Sequence, residues 1–288
     1  MTTDSAILPP PRHIIEEAVA RALQEDLGLA GDVTTAACIP ENARSKAAIV
    51  ARRPGVIAGL ALAQAAFRQT DPTIQFEPAR QDGARVKSGE ALAVIEGPSR
   101  GVLTGERVAL NFLGRLSGVA TATAQLVDAV AHTTAKIACT RKTTPGLRAL
   151  EKYAVRCGGG VNHRFGLFDA VMIKDNHIAA AGGIVAAAKT ARDAIPHTMR
   201  IEIEVDRLDQ LEEALSAGAD IILLDNMAPP DLTRAVDIAA GRAVLEASGN
   251  VTLETVAAIA ETGIDVISSG AITHSAPCLD LGLDFLSE

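Results

Sequence analysis

Aromatic residues are almost missing from this sequence of 288 residues, in which they make up 2%, with one tyrosine and no tryptophan. Proteins that bind single-stranded nucleic acid stack bases on aromatic rings, so this scarcity argues against such a surface. The formal net charge of −8 also argues against a polyanionic partner. We therefore expect no nucleic acid as a partner, and a core built from aliphatic side chains.

Cysteines are few, and their spacing excludes the commonest cysteine-based sites. The four residues form no CxxC pair, which disfavours a disulfide framework and a zinc site. No apolar run has the length of about 18 residues that a membrane-spanning helix needs. The first residues also lack the charged and apolar regions of a secretory signal. The sequence thus predicts a cytoplasmic protein with no membrane segment.

Positive charge is scarce overall but concentrated between Lys136 and Asp175. This segment has eight Lys/Arg against three Asp/Glu, whereas the rest of the chain has 19 against 32. A solvated helix face accounts for part of this charge. Four of the cations instead lie beside predicted strand ends or glycines: Arg141, Lys142, Arg164 and Lys174. In an otherwise acidic protein, this clustering indicates a site for a small anionic ligand.

The first third of the chain has the pattern of a small α+β domain. Apolar residues at helical spacing predict a helix over His13–Leu27, followed by a polar turn at Asp32–Thr35. Short β runs with glycine-containing turns follow over Ser45–Gly101, including a hairpin predicted at Pro54-Gly55. This region therefore lacks the regular alternation of strands and helices that the sequence shows from Lys136 onward.

A long helix is predicted next, with Thr104 as its N-cap. Gly114 and Gly118 lie within it and cost about 1 kcal/mol each relative to alanine. We expect another backbone segment to approach these two glycines closely, since that would explain their presence.

From Lys136 onward, short apolar runs alternate with helical patterns. The predicted strands are residues 136–140, 170–173, 199–205, 220–224, 243–247 and 265–269. The predicted helices are residues 146–156, 183–194, 208–217, 230–240 and 253–262. Six βα repeats are typical of parallel strands in an α/β barrel. A doubly wound sheet is the alternative, but no GxGxxG motif opens any of these helices.

Each predicted strand ends on polar residues, which is where α/β barrels place their active sites. In chain order these are Arg141-Lys142, Lys174, Glu204, Asp225-Asn226, Ser248-Gly249-Asn250 and Ser269-Gly270. Arginine binds carboxylate or phosphate at two points, and lysine supplies a point charge. The two acids suit Mg²⁺ or a developing positive charge, and the small turns can direct backbone N–H groups at a phosphate. Together they predict a polyanionic substrate and phosphate or pyrophosphate chemistry.

Several blocks, in order, resemble the quinolinate phosphoribosyltransferase family: ERVALNFLGRLSG, CTRKTTPGLRALEKYAVRCGGGVNHRFGLFDAVMIKDNH, IEIEV, ILLDN, LEASGN and SSGAITHS. The resemblance implies an N-terminal α+β domain, residues 12–115, to which a C-terminal segment, 276–288, returns. It also implies an open, TIM-like α/β barrel over residues 116–275. The implied reaction joins quinolinate to phosphoribosyl pyrophosphate with Mg²⁺, giving nicotinate mononucleotide, pyrophosphate and CO₂ in NAD biosynthesis.

The resemblance also implies roles for individual residues. The quinolinate pocket would comprise Arg107, Arg141, His163, Arg164 and Lys174. Arg107 would come from the other subunit of a homodimer, which could assemble further. The phosphoribosyl pyrophosphate site would comprise Thr140, Lys142, Ser248, Gly249, Asn250, Ser269, Gly270, Ala271 and His274. Lys142, Glu204 and Asp225 would be catalytic, and the two acids would hold the metal directly or through water.

Two rival functions and one relative remain open from the sequence. Lys174 at a barrel strand end could form a Schiff base in an aldolase, which needs a desolvated amine. Residues 45–101 could instead form a carrier-like binding module, which would leave the polar strand ends unexplained. A molybdenum-transport-associated relative shares several motifs, but the TRKT, NHR and KDNH blocks together favour the quinolinate enzyme.

Overall fold

The computed structural model describes residues 7–286 and divides the chain into two compact units. The first comprises the described residues up to Ala124, with Thr144–Gly159 and those from Ala276 onward. The second comprises Gln125–Thr143 and Gly160–Ser275. The domain boundary between residues 115 and 116 stays a prediction; residues 144–159, which the sequence assigned to the barrel, lie in the first unit.

The first unit combines antiparallel strands with helices. Its strands are β1 (Arg44–Ala51), β2 (Gly55–Val56), β3 (Gln75–Pro78), β4 (Arg85–Val86), β5 (Ala91–Pro98) and β12 (Leu281–Phe285). Its helices are α1 (Arg12–Leu27), α2 (Val33–Cys38), α3 (Leu60–Thr70), α4 (Ser99–Ala129, here up to Ala124) and α5 (Arg148–Cys157). Four strands form a sheet in the order β12-β1-β5-β3, and β2 pairs with β4. The C-terminal strand β12 thus forms one edge of the sheet, beside β1.

Three local predictions in this unit are wrong. β1 pairs with β5 and β12, and β2 with β4, so the two strands flanking Pro54-Gly55 do not form a hairpin. The polar turn is instead the start of α2, because Asp32 Oδ1 accepts a hydrogen bond from the Thr35 N–H at 2.9 Å and caps the helix. Helix α4 begins already at Ser99, and the Thr104 hydroxyl donates to Asp32 Oδ2 at 3.0 Å.

The glycines of α4 have the close neighbours that the sequence predicted. A Cβ at Gly118 would lie 2.0 Å from the carbonyl oxygen of Pro277, and one at Gly114 would lie 3.0 Å from that of Leu279. Since no side chain fits at 2.0 Å, Gly118 allows the C-terminal segment to pass directly over the helix. The segment continues from there into β12.

The second unit is a wound α/β structure. Its strands are β6 (Lys136–Ala138), β7 (Val171–Ile173), β8 (Ile201–Val205), β9 (Ile221–Asp225), β10 (Val244–Ser248) and β11 (Val266–Ser268). Its helices are α6 (Asp175–Ala181), α7 (Ile184–Ala194), α8 (Leu208–Ser216), α9 (Pro229–Ala239), α10 (Val256–Ala260) and α11 (Ala271–His274). All six predicted strands are present, and α6 and α11 are two helices that are not among the predicted ones.

The strand order identifies this unit as an open barrel. The strands are all parallel, in the order β6-β11-β10-β9-β8-β7. Five strands therefore follow their order in the chain, and the first strand, β6, pairs with the last, β11. A doubly wound sheet would reverse direction at an internal strand. The predicted α/β barrel is confirmed, with its opening between the edge strands β6 and β7.

No helix among residues 7–286 combines the length and the apolar character needed to cross a bilayer.

Candidate active site

The parallel strands of the second unit bring the predicted polar residues to one rim, because their carboxyl ends point the same way. That rim surrounds a cavity of about 720 Å³. The predicted residues that line it are Thr140, Arg141, Lys142, His163, Arg164, Lys174, Glu204, Asp225, Ser248, Gly249, Asn250, Ser269, Gly270, Ala271 and His274. Residues from six strand ends and the 163–164 loop thus face one space.

Arg107 is the one predicted site residue that does not line this cavity. It lies on α4 in the first unit and lines a separate cavity of about 410 Å³ with Asn111, Gly114 and residues 278–281. The predicted contribution of Arg107 from another subunit stays a prediction.

Arg164 is a partly buried and partly desolvated cation. Its Nη1 donates to the carbonyl oxygen of Ala170 at 3.2 Å, and its buried Nε has no hydrogen-bond partner. Burial, and after it the charge of Arg141, lowers the pKa of the Arg164 guanidinium, while Glu202 and Asp169 act in the opposite direction. An anion bound beside Arg164 would add to the negative charge of Glu202 and Asp169 and stabilise the charged guanidinium.

His163 is fixed by two buried acids that the sequence analysis did not single out. Its Nε2 lies 2.9 Å from Glu202 Oε2 and 3.8 Å from Glu246 Oε1. Its Nδ1 accepts the backbone N–H of Arg164 at 2.8 Å, which assigns a ring proton to Nε2. Both ring nitrogens are therefore engaged inside the protein, and Glu202 sets the orientation of the ring.

These three side chains also form the one group of three or more His, Cys, Asp or Glu residues, among those described, whose ligand atoms lie within 4.8 Å of one another. The 2.9 Å contact between His163 and Glu202 is a hydrogen-bond distance, and the proton on His163 Nε2 leaves that nitrogen no lone pair for a metal. The cluster is therefore better described as a hydrogen-bonded positioning group.

Lys174 follows β7 and donates from Nζ to Glu204 Oε2, on the neighbouring strand β8. Its side chain is 43% exposed. A Schiff-base lysine needs a desolvated, unpaired amine, so this environment disfavours the aldolase alternative. The pair instead places one positive and one negative group side by side at the rim.

Lys142 is held through its backbone and its aliphatic chain. The hydroxyl of Thr273, which is fully buried, donates to the Lys142 carbonyl oxygen at 2.7 Å. A Cβ at Gly270 would lie 2.9 Å from Lys142 Cδ, so this glycine lets the lysine chain lie across the turn at the start of α11. The side chain of Lys142 thus lies against the turn at Gly270, which the sequence analysis predicted to bind phosphate.

Several cavity residues escaped the sequence analysis: Met172, Leu223, Glu246, Val251, Thr252 and Ser268, with Asn226 noted but given no role. The two buried acids beside His163 had a usable signal, although Glu202 does not itself line the cavity. Glu202 lies two residues before Glu204 on β8, and Glu246 two residues before Ser248 on β10. Since alternate strand residues face the same side, each acid shares its side of the strand with a predicted site residue.

An open α/β barrel whose rim sets cations and carboxylates beside glycine turns defines a class of protein that binds a phosphorylated, multiply anionic ligand. Models of known families specify the class further. Residues 32–117 match the N-terminal domain, and residues 119–284 the C-terminal domain, of quinolinate phosphoribosyl transferase. The chain belongs to the quinolinate phosphoribosyl transferase family.

Individual relatives agree with this assignment. A probable nicotinate-nucleotide pyrophosphorylase [carboxylating] of Bacillus subtilis (strain 168) is 46% identical over 260 residues, covering 90% of this chain and 89% of its own. The nicotinate-nucleotide pyrophosphorylase [carboxylating] of Mycobacterium leprae is 46% identical over 276 residues, covering 93% and 96%. The solved nicotinate-nucleotide pyrophosphorylase of Francisella tularensis superposes with a TM-score of 0.94 at 40% identity, covering 98% and 99%.

Proposed function

We propose that this protein transfers the phosphoribosyl group of phosphoribosyl pyrophosphate to quinolinate with loss of CO₂, a step of NAD biosynthesis. The products are nicotinate mononucleotide, pyrophosphate and CO₂. The observation that carries this proposal is the cavity of the second unit, where four Lys/Arg side chains, two strand-end carboxylates and two glycine-containing turns meet. Membership of the family supports it. The cytoplasmic location expected from the sequence remains a prediction.

Quinolinate has two carboxylates, and the cations of the rim match that charge. Arg141, Arg164 and Lys174 would bind the carboxylates, with His163 packed beside them. The guanidinium of Arg164 lacks a partner at its buried Nε, and burial lowers its pKa. A bound dicarboxylate would stabilise the charged form of this guanidinium by supplying negative charge beside it.

The transfer step breaks the bond between ribose C1 and pyrophosphate, and the electron pair leaves with the pyrophosphate. Positive charge develops at C1 and the ring oxygen, as in glycoside hydrolysis. Glu204 and Asp225 favour that charge, and Lys142 stabilises the negative charge of the leaving group. The lone pair of the pyridine nitrogen then forms the new bond to C1.

Decarboxylation follows from the charge on the ring. Once its nitrogen is quaternised, the ring accepts the electron pair that remains at C2 when the bond to the carboxylate carbon breaks. CO₂ leaves and a proton adds to C2. The protein's part is to hold the ring and the second carboxylate in place through the rim cations.

Mg²⁺ is the cofactor we propose, and the donor set fits it. Mg²⁺ binds through one or two carboxylates together with substrate phosphates, and Glu204 and Asp225 line the same cavity as the phosphate turns. When bound, the ion would neutralise charge on the pyrophosphate oxygens. We expect EDTA to abolish turnover and added Mg²⁺ to restore it.

We further propose a homodimer in which Arg107 completes the quinolinate site of the partner. Arg107 lines a cavity of the first unit, and the site cavity of the second unit does not contain it. The test mixes two inactive variants, Arg107→Ala and Lys142→Ala, under conditions that exchange subunits. Recovery of activity in the mixture supports the shared site, and its absence in mixed dimers contradicts it.

The proposed function is tested by incubating purified protein with phosphoribosyl pyrophosphate, Mg²⁺ and either quinolinate or nicotinate, and following nicotinate mononucleotide by chromatography. We expect product from quinolinate alone. Lys142→Ala should lose orders of magnitude in kcat, which excludes a contaminating enzyme, while Lys189→Ala, an exposed lysine on α7, should retain full activity. Product from nicotinate instead, or from neither acceptor, contradicts the proposal.

A further inference from the structure

Asn226 has an unusual backbone conformation at the rim of the barrel. Among the described residues, three non-glycine residues have positive φ: Asn226 at 54°, Ala240 at 46° and Asn250 at 51°. The left-handed region disfavours most side chains, and asparagine is among the few that enter it. Two of the three residues thus lie at the ends of adjacent strands β9 and β10, beside the same cavity.

The side chain of Asn226 joins a predicted catalytic acid to a predicted phosphate turn. Its Nδ2 donates to Asp225 Oδ2 at 2.8 Å, and its Oδ1 accepts from Asn250 Nδ2 at 3.2 Å. Its backbone N–H donates to the carbonyl oxygen of Ser248 at 2.8 Å. One residue therefore contacts both the carboxylate that ends β9 and the turn that follows β10.

The neighbouring turn is shaped around this side chain. A Cβ at Gly249 would lie 2.1 Å from Asn226 Oδ1 and 3.2 Å from its backbone nitrogen. Gly249 itself has a φ of 99°, so the position excludes other residues on two grounds. The carboxamide of Asn226 thus occupies the space that a side chain in the turn would need.

We infer that Asn226 is a positioning residue, which sets the distance between the Asp225 carboxylate and the Ser248–Asn250 turn. The inference rests on the proposed function, in which Asp225 faces the ribose C1 and the turn holds the phosphate of the same phosphoribosyl group. A rigid link between the two fixes the sugar at both ends. Asn226 is exposed and lines the cavity, so we expect its replacement to change this geometry more than the stability of the fold.

Two variants of Asn226 distinguish positioning from a general structural role. Asn226→Gly fits the left-handed backbone and removes both side-chain hydrogen bonds. Asn226→Asp keeps the shape and an oxygen for Asn250, but replaces the donor to Asp225 by a second carboxylate. A role in packing would make the isosteric Asp variant milder than the Gly variant. Positioning of Asp225 requires the reverse order.

We expect kcat/KM for phosphoribosyl pyrophosphate to fall about tenfold in Asn226→Gly and about a hundredfold in Asn226→Asp, the range for a hydrogen bond to a charged group. KM for quinolinate should stay within about twofold of wild type, and calorimetric Kd values for phosphoribosyl pyrophosphate should weaken in the same order. Ala240→Gly, which relaxes the same φ at the end of α9, is the matched control and should leave all constants unchanged.

Thermal unfolding of each variant completes the test. Unchanged kinetics in Asn226→Gly, a milder effect in Asn226→Asp than in Asn226→Gly, or equal losses for both substrates with a lowered Tm would each overturn the inference. An active wild type with an unaffected Asn226→Gly variant refutes the positioning role alone. A wild type that makes no product refutes the proposed function, and the positioning role with it.

Discussion

Two buried carboxylates, one in each unit, have opposite surroundings. Glu151 on α5 is fully inaccessible, and Glu202 on β8 is 3% exposed. Glu151 Oε1 accepts from Arg115 Nη2 and from the Thr144 hydroxyl, both at 2.7 Å, and its Oε2 accepts from the Thr144 N–H at 3.0 Å. Glu202 contacts His163 through Oε2, and its Oε1 has no hydrogen-bond partner.

The difference separates a carboxylate whose two oxygens both accept hydrogen bonds from a group of buried side chains in which some polar atoms have no partner. A buried polar atom without a partner costs about 1–3 kcal/mol, so proteins rarely retain one without a reason. In the second unit the unsatisfied Nε of Arg164 belongs to a residue that lines the cavity, and Glu202 contacts His163, which also lines it. The first unit satisfies both oxygens of Glu151 with its own donors. We therefore expect substitutions in the first cluster to change stability, and those in the second to change catalysis.

The largest effect is expected for Glu151→Ala. Removing one partner of a buried ion pair costs about 3–5 kcal/mol, because the other partner loses its counter-charge. The free energy of unfolding, measured in urea, should fall by that amount, and Tm should fall with it. Glu151→Gln, which keeps an acceptor of the same shape, should lose less. A loss under about 1 kcal/mol for the Ala variant would show that this cluster does not hold the fold.

The second largest effect is expected for Arg164→Ala in the second unit. Here we expect a loss of activity with little loss of stability, the reverse of what we expect for Glu151→Ala. Loss of a charge-assisted, two-point contact to a substrate carboxylate should lower kcat/KM for quinolinate by about a hundredfold or more. The free energy of unfolding should stay within about 1 kcal/mol of wild type or rise, since a partly desolvated cation is removed. Arg207→Ala, an exposed arginine of the same unit, serves as the control and should retain activity. If Arg164→Ala lost stability and kept normal kinetics, Arg164 would be a residue that stabilises the fold, as Glu151 is expected to be.

The sequence predicted the second unit better than the first, and the reason is physical. Parallel strands buried on both faces give continuous apolar runs, so β6 to β11 were identified by composition alone. In the first unit, partner strands are distant in the chain, and β1 pairs with β12 near the C-terminus. No local pattern encodes such a pairing. The hairpin predicted at Pro54-Gly55 failed for this reason.

The candidate site divides in the same way. Polar residues at strand ends were found because they interrupt apolar runs, as Lys174 and Asp225 do. Glu202 and Glu246 lie within strands and interrupt no strand end, so only their alternation with Glu204 and Ser248 points to them. The role inferred for Asn226 depends on a hydrogen bond to the adjacent residue and on a left-handed φ, and neither is visible in the chain.

A smaller effect is expected for Glu202→Gln. The amide keeps the shape but weakens the hold on His163, so kcat/KM for quinolinate should fall about tenfold, with little change in KM for phosphoribosyl pyrophosphate. Combined with His163→Ala, it should have almost no further effect, because one residue acts through the other. Glu212→Gln, an exposed acid of the same unit that pairs with Arg242, should match wild type. Full additivity of the two changes would show that Glu202 does not act through His163.

The last prediction concerns the pH dependence of the fold. In the first unit, burial, followed by the charge of Asp82, raises the pKa of Cys157 to about 12 from an ordinary 9.0, and it also raises the pKa of Tyr153. Above pH 9 the unfolded chain loses the thiol proton that the folded protein keeps, so stability falls as pH rises between about 9 and 12. The slope for one group is about 1.4 kcal/mol per pH unit.

The difference in unfolding free energy between wild type and Cys157→Ala measures this slope, together with any change at Tyr153, whose pKa is raised by burial and also by Cys157. It should be constant up to about pH 9 and decline above it. A flat difference would mean that the Cys157 proton is no better held in the folded state than in the unfolded one. The thiol would then have a water-accessible environment, and the first unit would be less tightly closed than its saturated Glu151 cluster indicates.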